Sequence, residues 1–562
     1  MVKIEGFRNF QHSTIKFNDK TLIIGGNDVG KTNLLYSIRL LLDKSLSDRD
    51  IEPDISDFHI KNDGNQADSF SIKIYFSEVT EDAVLSILKG HVSDDGKCVI
   101  SLVADKATLD NRIFIGCADD ELEEIQSRFY LKRLNLRYVK SRRDLQKFIQ
   151  FEKKQLLKYS QENLDSSALA NDRIETINIS FKLNEINEKI SKLNYVQEAT
   201  SVVNDELKKL SHTYGDYSVH LDTGAIKVSQ FIENLELGAS TSGSKLMLGG
   251  DGRNNQILLA LWKAKSLKEF DPDHEVTFYC VEEPEAHLHP HQQRKLADYL
   301  IKELPGQTII TSHSPQITER YKPDSIIRIL SNTEGSKAAN DGCSPCISDA
   351  WDSLGYRMSI LPAEAFFASC VFLVEGPSEK LFYEELATRL NIDLDYYNIS
   401  ILCVDGIQFK VYCEILNAME IPWVLRTDND VSGIKGSTNK RAVGMNRCLS
   451  LMGFPNLPDS PAATNSQQLV ANGVWNNTSN LINPNGMFIS KIDLENDLSL
   501  ELGAELLAFS GKVNIADAVK YLQGKKAIRM RDFLSKNKAA LSGISTGELA
   551  KPLHCAKAMV EA

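Results

Sequence analysis

Gly25-Gly26-Asn27-Asp28-Val29-Gly30-Lys31-Thr32 is the stretch on which the reading of this chain turns. A short apolar run, Thr21–Ile24, precedes it. After it, Leu34, Leu35, Ile38, Leu41 and Leu42 fall at helical spacing on one face. Strand, glycine-rich turn and helix in that order let backbone N–H groups point inward at phosphate oxygens, at the positive end of the helix. Gly25, Asn27 and Gly30 form this cradle, Lys31 reaches the β- and γ-phosphates, and the Thr32 hydroxyl ligates Mg²⁺. The expected cofactors are ATP and a divalent cation.

Two later pieces fit the same centre. Val276–Val281 is an apolar strand ending in Glu282 and Glu283, followed by Pro284 and Glu285-Ala286-His287-Leu288-His289-Pro290. One acid is placed to ligate the cation, the other to polarise a water for attack on the γ-phosphate. Two acids at a strand end are also an ordinary helix N-terminal charge, but Pro284 and the His-rich extension argue against that. His313, in Thr311-Ser312-His313-Ser314-Pro315 just after a strand, is placed to sense the γ-phosphate.

The rest of the composition sets limits. At 562 residues the chain is too long for one core, and roughly three to four domain-sized units are expected. A net charge of -12 gives no global attraction to nucleic acid, so such binding needs local basic patches or metal ions. No apolar run reaches the roughly 18 residues that cross a bilayer, and Met1–Gly6 lacks a secretory pattern. With scattered cysteines in apolar runs, a cytoplasmic protein with reduced thiols and no membrane is expected. Cys343-Ser344-Pro345-Cys346 has ligand spacing but no second pair, and reads as a surface loop.

Five segments follow from the pattern. Residues 1–120 and 211–335 alternate strands and helices, and 121–210 read as a helical insertion with a pairing surface as one use. Between Gln126 and Lys158 stand eleven basic and two acidic residues, the solvated face of long helices or a DNA-backbone contact. Residues 336–368 read as a linker, and 369–562 as a second α/β unit with helices at its end and a loop over 455–485.

That second unit carries its own chemistry. Glu375 and Glu379 stand four apart at a strand-to-helix turn, where one helical turn brings both near one metal. Asp428 and Asp430 follow the strand Trp423–Arg426, and alternation places both on one side. Either motif alone looks like ordinary caps and turns. Together, separated by the strand Ile401–Val404 and the turn Asp405-Gly406, they form a set of acids that would repel one another without cations. Mg²⁺ or Mn²⁺ suits such hard oxygens. Two ions about 4 Å apart stabilise the attacking and leaving oxygens of phosphodiester cleavage.

The order of the first centre resembles the ABC-type ATPases of the SMC and RecF branch. Phe7-Arg8-Asn9-Phe10 looks like their N-terminal strand signature. Leu248-Gly249-Gly250-Asp251-Gly252 occupies the place of the signature loop, with Gly250 at its centre, but departs from the usual Ser-Gly-Gly form. Glu282 stands where the cation-binding acid is commonly Asp, and Glu283 matches the catalytic glutamate. In that family two heads sandwich ATP, so the resemblance implies a dimer. The second centre looks like a Toprim domain, with Glu375 as its invariant acid and Asp428 and Asp430 as its DxD pair.

An ABC-type head followed by Toprim is the arrangement of the OLD (overcoming lysogenization defect) endonucleases, and this chain resembles their Gabija and retron-associated branches. Glu285–Pro290 and Leu136-Arg137-Tyr138-Val139 through Asp144 are similar to segments of that head. The resemblance implies a further carboxylate and a lysine. Glu495, in Asp493–Asp497, and Lys526, beside Lys525, are the candidates; the two segments read equally well as an acidic helix face and a solvated lysine pair.

The implied fold is an ABC-type (SMC/RecF-like) ATPase head with a helical insertion, then a Rossmann-like Toprim domain and a helical C-terminal region. The implied function is a metal-dependent DNA endonuclease, nicking or cutting both strands, regulated by ATP in bacterial anti-phage defence. Double-stranded DNA and a homodimer or higher oligomer are its implied partners, with a helicase or a retron RNA–DNA hybrid as a further one. The alternative is an ATP-dependent DNA clamp or scaffold without cleavage. A topoisomerase needs a tyrosine nucleophile, and no context singles out one of the 17 tyrosines.

Overall fold

The computed structural model describes residues 1–140, 145–210, 238–241, 244–247, 275–286, 288–304, 306–343, 363–404 and 409–562, with single positions between 228 and 264. Gly250 and the rest of 248–252, Asp405–Gln408, His287 and Cys346 lie outside the described residues. The chain divides into two compact units. One holds Met1–Val139, Val276–Glu285 and Pro290–Ala562; the other holds Lys140–Glu275 and Ala286–His289.

In chain order the head strands are β1 (Val2–Phe7), β2 (Phe10–Ile15), β3 (Lys20–Ile24), β4 (Ser69–Phe76), β5 (Cys98–Asp105), β6 (Asn111–Gly116), β7 (Glu123–Ile125) and β8 (Leu134–Val139). After β9 (Gly238–Thr241) and β10 (Ser244–Met247) come β11 (Val276–Glu282), β12 (Thr308–Thr311), β13 (Ile326–Asn332) and β14 (Gly335–Ala338). An antiparallel sheet has the order β2-β1-β4-β5-β6-β7, and a mostly parallel one the order β14-β13-β3-β12-β11-β8. Helix Lys31–Leu42 buries Leu34, Leu35, Ile38, Leu41 and Leu42 in the core that joins these elements.

Residues 121–139 do not begin the helical insertion. They supply β7 to the antiparallel sheet and β8 to the parallel sheet, where Val276–Val281 pairs with Leu134–Val139. The insertion's helices run Leu145–Glu162, Ser166–Ser191 and Asn194–Leu210. Asp165 caps the middle helix through the Ser167 and Ala168 amides. Ile174, Ile177 and Phe181 are exposed on it at helical spacing. Residues 336–338 lie in β14 rather than in a linker, and Cys343 is buried against Thr21 rather than in a surface loop.

The second α/β module contains β15 (Cys370–Val374), β16 (Ile399–Cys403), β17 (Trp423–Thr427), the hairpin strands β18 (Val431–Gly433) and β19 (Lys440–Ala442), and β20 (Met487–Ile489). Its parallel sheet has the order β16-β15-β17-β20. A strand covered on both faces reads as an unbroken apolar run, and Cys370-Val371-Phe372-Leu373-Val374 is buried throughout. The C-terminal helices Leu494–Glu501, Ile515–Gln523, Lys526–Asn537 and Lys551–Glu561 close this core.

The expected loop over 455–485 instead contains helices Ser466–Ala471 and Val474–Ile482. Asn465 and Gln468 form a reciprocal capping box, and Trp475 and Ile482 turn inward. An Asn- and Ser-rich composition concealed a helix start. Phe372 is fully buried and meets Tyr383 edge to face at 4.7 Å. Phe372→Ala is expected to cost about 3–5 kcal/mol, seen as a lower denaturant midpoint for this module; an unchanged midpoint would exclude the ring from its stability.

Candidate functional site

Both chemical centres sit at the carboxyl ends of parallel strands, where loops and helix N-termini converge. In the head, the P-loop follows β3, Glu282 and Glu283 close β11, and Ser312-His313 follow β12. Gly25 has φ +152, and a Cβ there would stand 2.7 Å from the Ile329 carbonyl oxygen, so the loop requires glycine. Gly30 is left-handed at the helix start. Lys31 donates to the carbonyls of Gly25 at 3.0 Å and Gly26 at 2.6 Å. Burial lowers its pKa although Glu283, Asp28, Glu282 and Glu285 all favour its charge.

The Thr32 hydroxyl donates to Glu282 Oε1 at 2.5 Å, and the Tyr138 hydroxyl donates to Glu282 Oε2 at 2.5 Å. The P-loop threonine and the strand-end acid, 250 residues apart, thus meet directly. Glu283 adopts a left-handed φ of 43, fixed by its amide donating to the Thr311 carbonyl at 3.0 Å. Its carboxylate stands 3.3 Å from His313 Nε2. Burial and the nearby Lys31 charge lower the His313 pKa, against the pull of Glu283. Lys31, Thr32, Glu282, Glu283 and His313 therefore come together, while Asn27 is exposed on the loop.

Sequence marks the hairpin tip at Arg8-Asn9 and Glu285 only by resemblance, and the structure gives both contacts that shape the centre. Glu285 Oε1 accepts from the Ser312 hydroxyl at 2.7 Å and the His313 amide at 2.8 Å, which fixes the His313 turn. Its other oxygen is buried without a partner, and burial raises its pKa. Arg8, between β1 and β2, donates to Asp57 and Asn33, while Asn9 donates to the Asp28 carbonyl. The hairpin thereby holds the start of the P-loop helix.

In the second module, Glu375 follows β15 and Glu379 lies in the first turn of helix Pro377–Arg389. Glu375 Oε1 accepts from the Thr427 hydroxyl at 2.5 Å, the Asp428 amide at 2.8 Å and Arg447 at 2.8 Å. One carboxylate oxygen so ties the end of β15 to the end of β17. Strand pleating does not orient Asp428 and Asp430, because β17 ends at Thr427. A turn does: the Val443 and Gly444 amides donate to the Asp430 carbonyl. A Cβ on Gly444 would fall 2.0 Å from the Asp428 carbonyl oxygen, so only glycine lets that helix approach.

Burial dominates the electrostatics here. It pushes Asp428 up to about 8, reinforced by Glu375 and Glu379 and opposed by Arg426 and Lys526. Glu379 is raised by burial, with Glu375 adding to it. Asp430, at the exposed rim, is raised by lost hydration and then by Glu375. Glu495 is fully buried with neither carboxylate oxygen hydrogen-bonded, and its pKa is raised by burial. Lys526 Nζ stands 3.8 Å from Glu495 and 4.0 Å from Asp428. Burial opposes its charge, but Glu495, Asp428, Glu379 and Asp493 together raise its pKa.

Lys526, Glu495, Asp428 and Glu379 thus form one electrostatic cluster, and Glu375 joins it to Asp430. Arg447, Gly444 and Ser490, whose hydroxyl reaches Asp428 at 3.3 Å, had no signal in the sequence. Asp497, a near neighbour of Glu495 in the chain, pairs instead with buried Arg426 at 2.6 Å.

A family model described as an AAA ATPase domain matches residues 1–318, and one described as an overcoming lysogenization defect protein-like TOPRIM domain matches 366–430. Endonuclease GajA of Bacillus cereus is 24% identical over 95% of this chain and 94% of its own length. The OLD nuclease of Thermus scotoductus is 26% identical over 34% of this chain and 37% of its own. Among solved structures, an SMC head bound to the C-winged helix domain of ScpA covers 60% of this chain and 95% of its own at 18% identity and a TM-score of 0.38. The C-terminal region of the Burkholderia pseudomallei OLD protein covers 34% and 99% at 21% identity and a TM-score of 0.23. With the AAA ATPase domain model matched over more than half of the chain and an OLD-like Toprim module behind it, the chain belongs to the AAA ATPase domain family and fits the OLD family.

Proposed function

We propose that this protein is a divalent-metal-dependent DNA endonuclease governed by ATP at its head, acting in bacterial anti-phage defence. The observation that carries the reading is the convergence of Glu379, Asp428 and Glu495 on Lys526, with Glu375 bonded to the Asp428 amide beside them, in a module where burial disfavours added negative charge. The endonuclease and nuclease names of the relatives support it. The defence role and a helicase or retron RNA–DNA partner follow the OLD resemblance, and a cytoplasmic setting follows the cysteines scattered through apolar runs. No described helix is long and apolar enough to cross a membrane.

The residues fit a divalent cation. Among the described residues no three His, Cys, Asp or Glu side chains stand together closely enough to hold a metal ion as they are. The donor set is nonetheless all carboxylate, and both Glu495 oxygens are buried without hydrogen bonds, which is costly unless a cation satisfies them. Glu375, Glu379, Asp428, Asp430 and Glu495 would hold it. Bound there, the metal supplies charge neutralisation and a water of lowered pKa for attack on a phosphodiester. Lys526, beside Asp428 and Glu495, would neutralise charge on the scissile phosphate. Arg447 and Glu375 keep the ends of β15 and β17 in register.

In the head, Thr32 and Glu282 would hold the nucleotide's cation, Lys31 would take its phosphates, Glu283 would orient the attacking water, and His313, whose pKa burial and Lys31 lower, would read the γ-phosphate. Gly250 in the signature loop would complete a partner's site. A homodimer or higher oligomer is supported by Ile174, Ile177 and Phe181, 58%, 69% and 68% exposed on one helix. A clamp without cleavage gives no reason to bury carboxylates that repel one another.

Plasmid DNA incubated with Mg²⁺ or Mn²⁺ is expected to be cut by the wild type and spared by Asp428→Ala and Glu379→Ala, with rates at least ~100-fold lower, about 2.7 kcal/mol of barrier. Full cutting by both variants would falsify the site. Glu283→Gln is expected to bind ATP with near wild-type affinity yet hydrolyse it ~100-fold more slowly; unchanged turnover would remove Glu283 from that step.

A third outcome follows from proton linkage. Folded Asp428 keeps its proton to about pH 8, whereas the unfolded carboxyl loses it near 3.8. The folded state binds more protons between those values, so in EDTA stability should fall as pH rises from about 4 to about 8. Added Mg²⁺ should raise the melting temperature more at pH 8 than at pH 6. An equal increment at both would show that the cation does not replace those protons.

A further inference from the structure

Arg328 lies on β13, whose neighbours Ile327 and Ile329 face the head's core. Its backbone is in register with Ile24, the last residue of β3 before the P-loop, and the following Ile329 carbonyl is the atom against which Gly25 packs. The Arg328 side chain leaves the head. It donates to the carbonyls of Met419 at 3.1 Å, Glu420 at 2.9 Å and Ala368 at 3.1 Å. Ala368 lies just before β15, and Met419 and Glu420 just before β17. These are the strands whose far ends present Glu375 and Asp428.

One guanidinium thus holds the starts of both acid-bearing strands, while its backbone pairs with the last residue before the nucleotide loop. A planar fork with several fixed donors suits such multipoint bonding. The acceptors are neutral carbonyls, so losing them would leave a half-buried guanidinium short of hydrogen bonds, which favours discrete arrangements over gradual slippage. A smaller clasp lies beside it. Lys337 pairs with Glu420 at 2.6 Å, and the Asn340 amide donates to the same carboxylate at 3.1 Å. Asn340 and Glu420 both have left-handed φ, 47 and 49, a conformation that non-glycine residues keep only where surroundings hold it.

We propose that Arg328 is the positioning residue through which the nucleotide state of the P-loop reaches the Toprim carboxylates. The proposal rests on the reading of this protein as an ATP-governed nuclease, but its test does not depend on cleavage. Amide hydrogen exchange is measured on the full chain with and without a non-hydrolysable ATP analogue and Mg²⁺, with nucleotide binding followed separately by a fluorescent analogue. In the wild type the analogue should change exchange over residues 366–375 and 417–430. Arg328→Gln should still bind the analogue and lose that change. Should the Gln variant fail to fold, Arg328→Lys, which keeps the charge and loses the fork, should lose it too. Glu420→Gln leaves the backbone acceptors in place and should keep it. An undiminished response in Arg328→Gln overturns the proposal, as does a wild type that binds the analogue with no response in these segments. Loss in Glu420→Gln alone also overturns it and moves the route to the Lys337 ion pair. Plasmid cutting reports on the nuclease reading independently.

Discussion

Carboxylates held together in a poorly hydrated interior repel one another, and this chain places Glu379, Asp428 and Glu495 in that position, with half-buried Glu375 beside them. Much of the second module can be understood as an answer to that repulsion. Lys526 arrives from the C-terminal helices to stand between Asp428 and Glu495. Arg447 is delivered by a helix that packs closely only because Gly444 lacks a side chain. Arg426 is buried behind the cluster and is held by Asp497, so its charge acts at a distance without occupying the site. Protons and basic side chains balance the acids in part, and a divalent cation completes the balance in the proposed function.

The head meets a related problem with different means. Its acids are fewer, and they are bound by hydroxyls: Thr32 and Tyr138 on Glu282, and Ser312 on Glu285. Both centres nonetheless use the same construction, acids at the carboxyl ends of parallel strands with a helix starting beside them. Arg328, paired with the strand that leads into the P-loop, bonds to the starts of β15 and β17, and the proposed link between the centres runs through it.

Much of this is legible in the sequence. The P-loop, the double glutamate and His313 are recognisable because phosphate and cation binding restrict residue type and spacing severely, and the fold brings them together. Glu375 and Glu379 are legible for the same reason. Glu495 and Lys526 stand out only by resemblance, in segments that read equally well as solvated helices, and their meeting at 3.8 Å is a tertiary fact. The helices at 466–471 and 474–482 escape a sequence reading because Asn and Ser favour both loops and caps.

The sequence by itself determined the local devices: a glycine-rich turn at Gly25–Lys31, an all-apolar strand at Cys370–Val374, and acids at the strand ends. Each depends on neighbours a few residues away, and short-range spacing records such dependence. Only the tertiary structure decided that Thr32 meets Glu282, that Arg447 braces Glu375, and that Arg328 reaches Met419 and Glu420. These contacts join residues tens to hundreds of positions apart. Their geometry is set by how sheets stack and where helices return, and a single chain of letters carries no local trace of either.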